Sequence, residues 1–148
     1  MKKVKIIGFY LKSIEAKRFS KSLPNSINIR STPSIDSISR EKDSVGKVVF
    51  SFVTEYSPGI ATIRYEGEIL LEFENSKKME ETIRMWNEKR KLKEDIDILV
   101  RNFLFKKCLT LGILIADEMK LPPPLMFPQI VKRGILTKKT KVNLSYIG

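Results

Sequence analysis

Between Lys47 and Asn75 apolar and polar residues alternate with a period of two. Ala61, Ile63, Tyr65, Gly67, Ile69, Leu71 and Phe73 fall on one face of an extended chain. Thr62, Arg64, Glu66, Glu68, Glu72 and Glu74 fall on the other, with Leu70 the exception. Such alternation predicts a strand with one buried face. Ser57-Pro58-Gly59 separates it from a second such run, Lys47 to Tyr56, and predicts a hairpin closed by a type II turn. Gly67 inside the strand predicts a bulge or bend where another backbone comes close.

The period then changes. Ser76 reads as an N-cap for a helix starting at Lys77, with Glu80 near the capping-box position. Met79, Ile83 and Trp86 give that short helix one apolar stripe, and Trp86 reads as a packing residue. A longer helix is predicted from near Glu94, with Glu94, Asp95 and Asp97 in its first turns where negative charge suits the helix dipole. Ile96, Leu99, Val100, Phe103, Leu104 and Cys108 form its stripe. From Cys108 to Ala116 only Thr110 is polar, so the stripe widens to nearly every face.

A helix apolar on all sides needs cover on all sides. Contact with another subunit would supply it, and the interface residues then predicted are Cys108, Leu109, Leu111, Gly112 and Ile115. The alternative is that the segment after the helix covers the second face within one chain. Leu121-Pro122-Pro123-Pro124 ends the helix, because proline lacks the N–H donor and restricts the residue before it. An extended strap carrying Met126 and Phe127 follows, with a strand-like VNLSYI at the end of the tail.

Val4 to Leu11 predicts a strand covered on both faces for part of its length and continuing towards Phe19 at a sheet edge. Residues 20–46 are rich in serine. Only a short strand around Ile27 and Ile29 is predicted there, with STPSIDSISREKDS as a loop containing one helical turn.

Composition narrows the chemistry. The chain has 148 residues, 42% hydrophobic and 30% charged, which predicts one folded domain over 1–148 with residues 131–148 as a basic C-terminal tail. Histidine is absent, which removes the commonest general base and metal ligand. The single Cys108 excludes an internal disulfide and a multi-thiolate zinc site. No nucleotide-binding glycine loop or metal-spaced cluster occurs, so the expectation is a binding protein without cofactor, not an enzyme. Glu66 and Glu68 read as part of a solvated strand face. Arg101, Lys106 and Lys107 interrupt the best candidate for a membrane span, and no signal peptide is visible, so a cytoplasmic protein without membrane insertion is expected.

The net charge of +11 is unevenly distributed. Residues 1–47 carry 11 basic and 4 acidic groups, residues 48–76 one basic and five acidic, and residues 121–148 five basic and none acidic. Basic ends suggest an anionic partner such as a ribosome, RNA, an acidic protein face or the chain's own acidic middle. Lys132, Arg133, Lys138, Lys139 and Lys141 are candidate anion-binding residues in what could equally be a solvated tail.

Three stretches carry a resemblance to the SecB chaperone family, especially its archaeal-type relatives. FYLKSIEAKRFSKSLP resembles the family's first strand, from Tyr10 to Ala16. VVFSFVTEYSPGIATIRYEGEIL resembles its central hairpin. NFLFKKCLTLGILIADEMKLPPPLMFPQI resembles its long interface helix and proline-containing connector. The resemblance implies an α+β fold: a four-stranded antiparallel sheet with a short helix and one long interface helix. It further implies a homotetramer, a dimer of dimers, that holds unfolded or nascent polypeptides in apolar grooves without an ATP cycle. In such a holdase the expected client-binding residues are Ile27, Ile29, Phe50, Phe52 and Tyr56. This chain departs from bacterial members in being basic, with Glu66, Glu68, Glu72 and Glu74 as its acidic sheet patch, and in lacking a clear second amphipathic helix around Gly134.

Overall fold

The computed structural model describes residues 4–125. Four antiparallel strands, β1 (Val4–Arg18), β2 (Asn28–Lys42), β3 (Val45–Ser57) and β4 (Ala61–Phe73), precede two helices, α1 (Ser76–Lys89) and α2 (Glu94–Glu118). The sheet order is β1-β4-β3-β2, so the predicted hairpin β3–β4 forms the centre and β1 and β2 form the two edges.

The alternation in β4 is realised as read. Its odd-numbered residues, Ala61 to Phe73, face the helices and are buried, while Arg64 and Glu66 pair on the opposite face at 2.8 Å. Gly59 has a φ of +57° and the Ser57–Pro58 peptide bond is cis. Gly67 sits opposite Leu11, beside a register shift between Leu11 and Ser13. A Cβ there would collide with the Tyr10 carbonyl oxygen and approach the Leu11 Cα and Phe50 ring to 3.1 Å, so the close backbone approach expected at this glycine is present.

The segment expected to be a loop is the fifteen-residue strand β2. Ile29, Ile35 and Ile38 all point into the core, and the bulge between Ile35 and Ser37 restores the inward direction after the alternation slips. Pro33 is tolerated because β2 is an edge strand. β1 forms over Val4–Arg18 with two register shifts, but it is not covered on both faces: Ile7 and Tyr10 are exposed.

Helix α1 is capped one residue earlier than expected, by Asn75, whose Oδ1 accepts from the Lys78 N–H at 2.8 Å. Met79, Thr82 and Trp86 bury its inner face. Helix α2 lies under the sheet and is held by aromatic contacts: Phe103 meets Phe9 edge-on at 5.5 Å and Phe105 meets Phe52 at 5.6 Å. Phe9 in turn stacks on Phe50 at 5.7 Å. α2 stops before the prolines, with Lys120 at a φ of +59°. The Leu121 N–H closes the helix end on the Ala116 carbonyl at 2.9 Å, and Arg18 at the end of β1 ties down the next turn by donating to the Met119 and Lys120 carbonyls at 2.8 and 2.9 Å.

Candidate functional site

Three stripes run along α2. Ile96, Val100, Leu104, Cys108, Gly112 and Ala116, about one turn apart, are buried against the sheet. Asp97 and Arg101 face β2, where Arg101 pairs with Asp97 at 3.0 Å and donates to the Pro33 carbonyl at 2.8 Å. The third stripe faces the gap beneath β1. It contains Asp95, Ile98, Leu99, Asn102, Phe103, Lys106, Lys107, Thr110 and Leu111.

That gap holds two adjoining cavities. One, about 560 Å³, lies between Phe9 and Leu11 of β1 and Phe103, Lys106, Lys107, Thr110 and Leu111 of α2. The other, about 500 Å³, is lined by Ile6, Asp95, Ile98, Leu99, Asn102, Phe103 and Lys106. Phe103 and Lys106 line both, so the two form one groove. Its floor is apolar. Ile98 is 50% exposed, and Leu114, which continues the same stripe one turn on, is 67% exposed. Lys107 stands at the groove's side with its Nζ 5.6 Å from the Phe9 ring centre. Exposed apolar groups in register along one helix face mark an interaction surface rather than scattered surface hydrophobics.

The expected site residues are distributed differently. Ile29, Phe50, Phe52 and Tyr56, expected to contact clients, lie in the core between sheet and helices, and Ile27 is half-buried at its margin. They face inward because β3 is a central strand whose even positions meet α2. Of the expected interface residues, Cys108, Leu109 and Gly112 are buried within the single chain. A Cβ on Gly112 would come within 2.9 Å of the Tyr65 hydroxyl and 3.1 Å of Pro124, so this glycine serves an intrachain approach. Leu111 lines the groove and Ile115 is half-buried. The described start of the strap packs at the end of the sheet layer, where Tyr56 Oη donates to the Pro122 carbonyl at 2.6 Å and Leu121 is buried. The residues that remain outward are Ile98, Leu114 and the groove. Helical spacing of Asn102, Lys106, Lys107 and Thr110 was the signal that could have oriented them. The candidate anion-binding residues Lys132, Arg133, Lys138, Lys139 and Lys141 lie outside the described residues, as do Met126, Phe127 and the VNLSYI segment.

Burial rather than charge governs the titratable groups beneath the groove. It pushes the Cys108 thiol up to about 12. It also raises the Tyr65 hydroxyl well above its usual range, with smaller contributions from Cys108 and Tyr56. Both are kept neutral, unlike an activated nucleophile. Among the described residues, no group of three His, Cys, Asp or Glu side chains is placed to hold a metal ion. No helix among them is long and apolar enough to cross a membrane.

No family model matches the chain, and no curated protein matches it. Among solved structures it is similar to the SecB-like chaperone of Mycobacterium tuberculosis in complex with a ChAD peptide from the HigA1 antitoxin. The two share 15% identity and a TM-score of 0.52 over 88% of each chain. That likeness concerns the fold: a four-stranded antiparallel sheet packed on two helices. The chain has a SecB-like α+β fold.

Proposed function

We propose that this protein is a holdase: a binding protein that shields apolar segments of unfolded or nascent polypeptides without a nucleotide cycle, not an enzyme. The observation that carries this reading is the continuous apolar groove between β1 and the outward stripe of α2. From Asp95 to Leu111 the groove runs about 24 Å at the helical rise, room for roughly seven residues of extended chain. An extended segment also suits the edge of β1, which no other strand among the described residues pairs and whose outer backbone groups can pair with it. The fold likeness to a chaperone solved with a bound peptide supports the same reading.

The exposed apolar side of α2 also suits self-association, and we extend the proposal to a cytoplasmic homotetramer built as a dimer of dimers. Leu114, which lies beyond the groove's lining, is the group such an assembly would cover. Light scattering is expected to give a tetramer mass; a clean monomer would contradict the assembly.

The functional test is aggregation of a reduced, unfolded client with the protein at equimolar concentration. Suppression without added ATP is expected. Undiminished aggregation in the presence of folded protein would overturn the holdase reading.

A further inference from the structure

The turn between the two helices is a run of cations. Lys89, Arg90, Lys91 and Lys93 are all exposed, while Leu92 among them is buried and pins the turn to the core. Arg90 holds a left-handed φ of +57°, and its N–H donates to the Trp86 carbonyl at 2.8 Å. Its guanidinium lies 6.0 Å from the Trp86 ring centre. Among the described residues none of the four cations forms an ion pair.

Helix geometry accounts for only half of them. Lys89 and Arg90 close α1, where positive charge suits the helix dipole. Lys93 is the N-cap of α2, where a cation is unfavourable, and its side chain makes no capping hydrogen bond. Lys91 belongs to neither helix. The carboxylates that open α2 are partly engaged: Asp97 pairs with Arg101 and Asp95 accepts from the Ile96 N–H, which leaves Glu94 beside four cations. Next to the turn a cavity of about 570 Å³ lies between Arg90 and Lys91 on one side and Pro33, Ser34 and Ile35 of β2 on the other. That is room for a nucleotide-sized group.

We infer that this elbow is a docking site for single-stranded nucleic acid, with phosphates on Lys89, Arg90, Lys91 and Lys93 and one unstacked base in the cavity beside Arg90. Four exposed cations suit a phosphate backbone, and the guanidinium plane gives the base a surface to stack on. An acidic protein face would leave the cavity unused. The site does not depend on the holdase reading. It lies at the β2 edge, on the opposite side of the sheet from β1.

The test uses the full chain, a fluorescent oligouridylate of about ten nucleotides and a glutamate peptide of similar charge. Anisotropy should show the oligonucleotide binding with a slope of log K against log salt of about −3 or steeper, about 0.7 for each of four phosphates. That is about a fiftyfold loss between about 50 and 200 mM salt. An abasic oligomer of equal charge should bind at least about fivefold more weakly, and equal binding would overturn the seated base. Together Lys89→Gln, Lys91→Gln and Lys93→Gln should make the slope shallower by about 2, with circular dichroism confirming the fold. Lys21→Gln, Lys77→Gln and Lys78→Gln, exposed and outside the elbow, should leave it nearly unchanged. An equal change in both variants would assign the binding to net charge, and an unchanged slope in the first would assign it to the basic tail. Either result overturns the inference. Tighter binding of the glutamate peptide would assign the elbow to acidic proteins and overturn it, as would failure of the oligonucleotide to bind.

Discussion

The two edges of the sheet are built differently. β2 presents serines, threonine and Pro33, and Arg101 reaches from α2 to occupy the Pro33 carbonyl. The cavity beside it is lined by Trp86, Arg90, Lys91, Glu94 and Arg101, so an approaching chain meets charge and a missing donor. β1 presents Ile7, Tyr10 and Ile14, all exposed, above a groove with an apolar floor. Proline and charge at an edge discourage strand addition, and exposed apolar side chains invite it. Among the described residues one sheet thus carries a closed edge and an open one, and the open one lies along the helix face that these residues leave uncovered.

Substituting Gly67 is the most disruptive way to test that difference. Gly67→Val would press a side chain into the Tyr10 carbonyl and Leu11, forcing β1 from β4. A loss of about 3 kcal/mol or more is expected from urea unfolding. A cost below about 1 kcal/mol would mean that β1 is held more loosely than the groove requires.

Arginines anchor both edges, and their removal should sharpen the contrast. Arg18→Ala removes hydrogen bonds to the carbonyls of Ser20, Lys21, Met119 and Lys120, freeing both the end of β1 and the end of α2. About 2 kcal/mol is expected, from charged hydrogen bonds to several carbonyls that the protein otherwise leaves unpaired. Arg101→Ala removes one such carbonyl contact and an ion pair whose side chains are more than a third exposed, so about 1 kcal/mol is expected. Equal losses in urea melts would contradict the asymmetry.

Cys108 gives the smallest effect. With its thiol raised from 9.0 to about 12 by burial, the neutral form is favoured in the folded state. Its contribution to stability is therefore complete below pH 9 and fades as the pH climbs towards 12. Thermal melts should fall over that window. At pH 8 a thiol reagent should label the native chain at least about a hundredfold more slowly than the unfolded one. Rapid native labelling would show α2 opening away from the sheet.

The central hairpin was legible because Ala61 to Phe73 alternate with Leu70 as the one exception. β2 was not, since serine and proline have low strand preference and the bulge between Ile35 and Ser37 breaks the period by which strands are recognised. The long helix was legible in extent but not in orientation. A helix apolar on nearly every side has no dominant direction, so Cys108 and Gly112 were assigned to a subunit interface when they face the chain's own sheet. Phe50 and Phe52 read as exposed subsites only until the strand order places β3 at the centre of the sheet. The groove itself depends on where α2 crosses β1, a tertiary fact that no local pattern encodes.

Hydrogen exchange on the full chain, with and without a saturating unfolded client, tests the central claim most directly. Protection is expected at the outer amides of β1 and along 98–111 of α2, with β2 unchanged. Protection confined to β2, or none at β1 while the client is bound, would contradict the account.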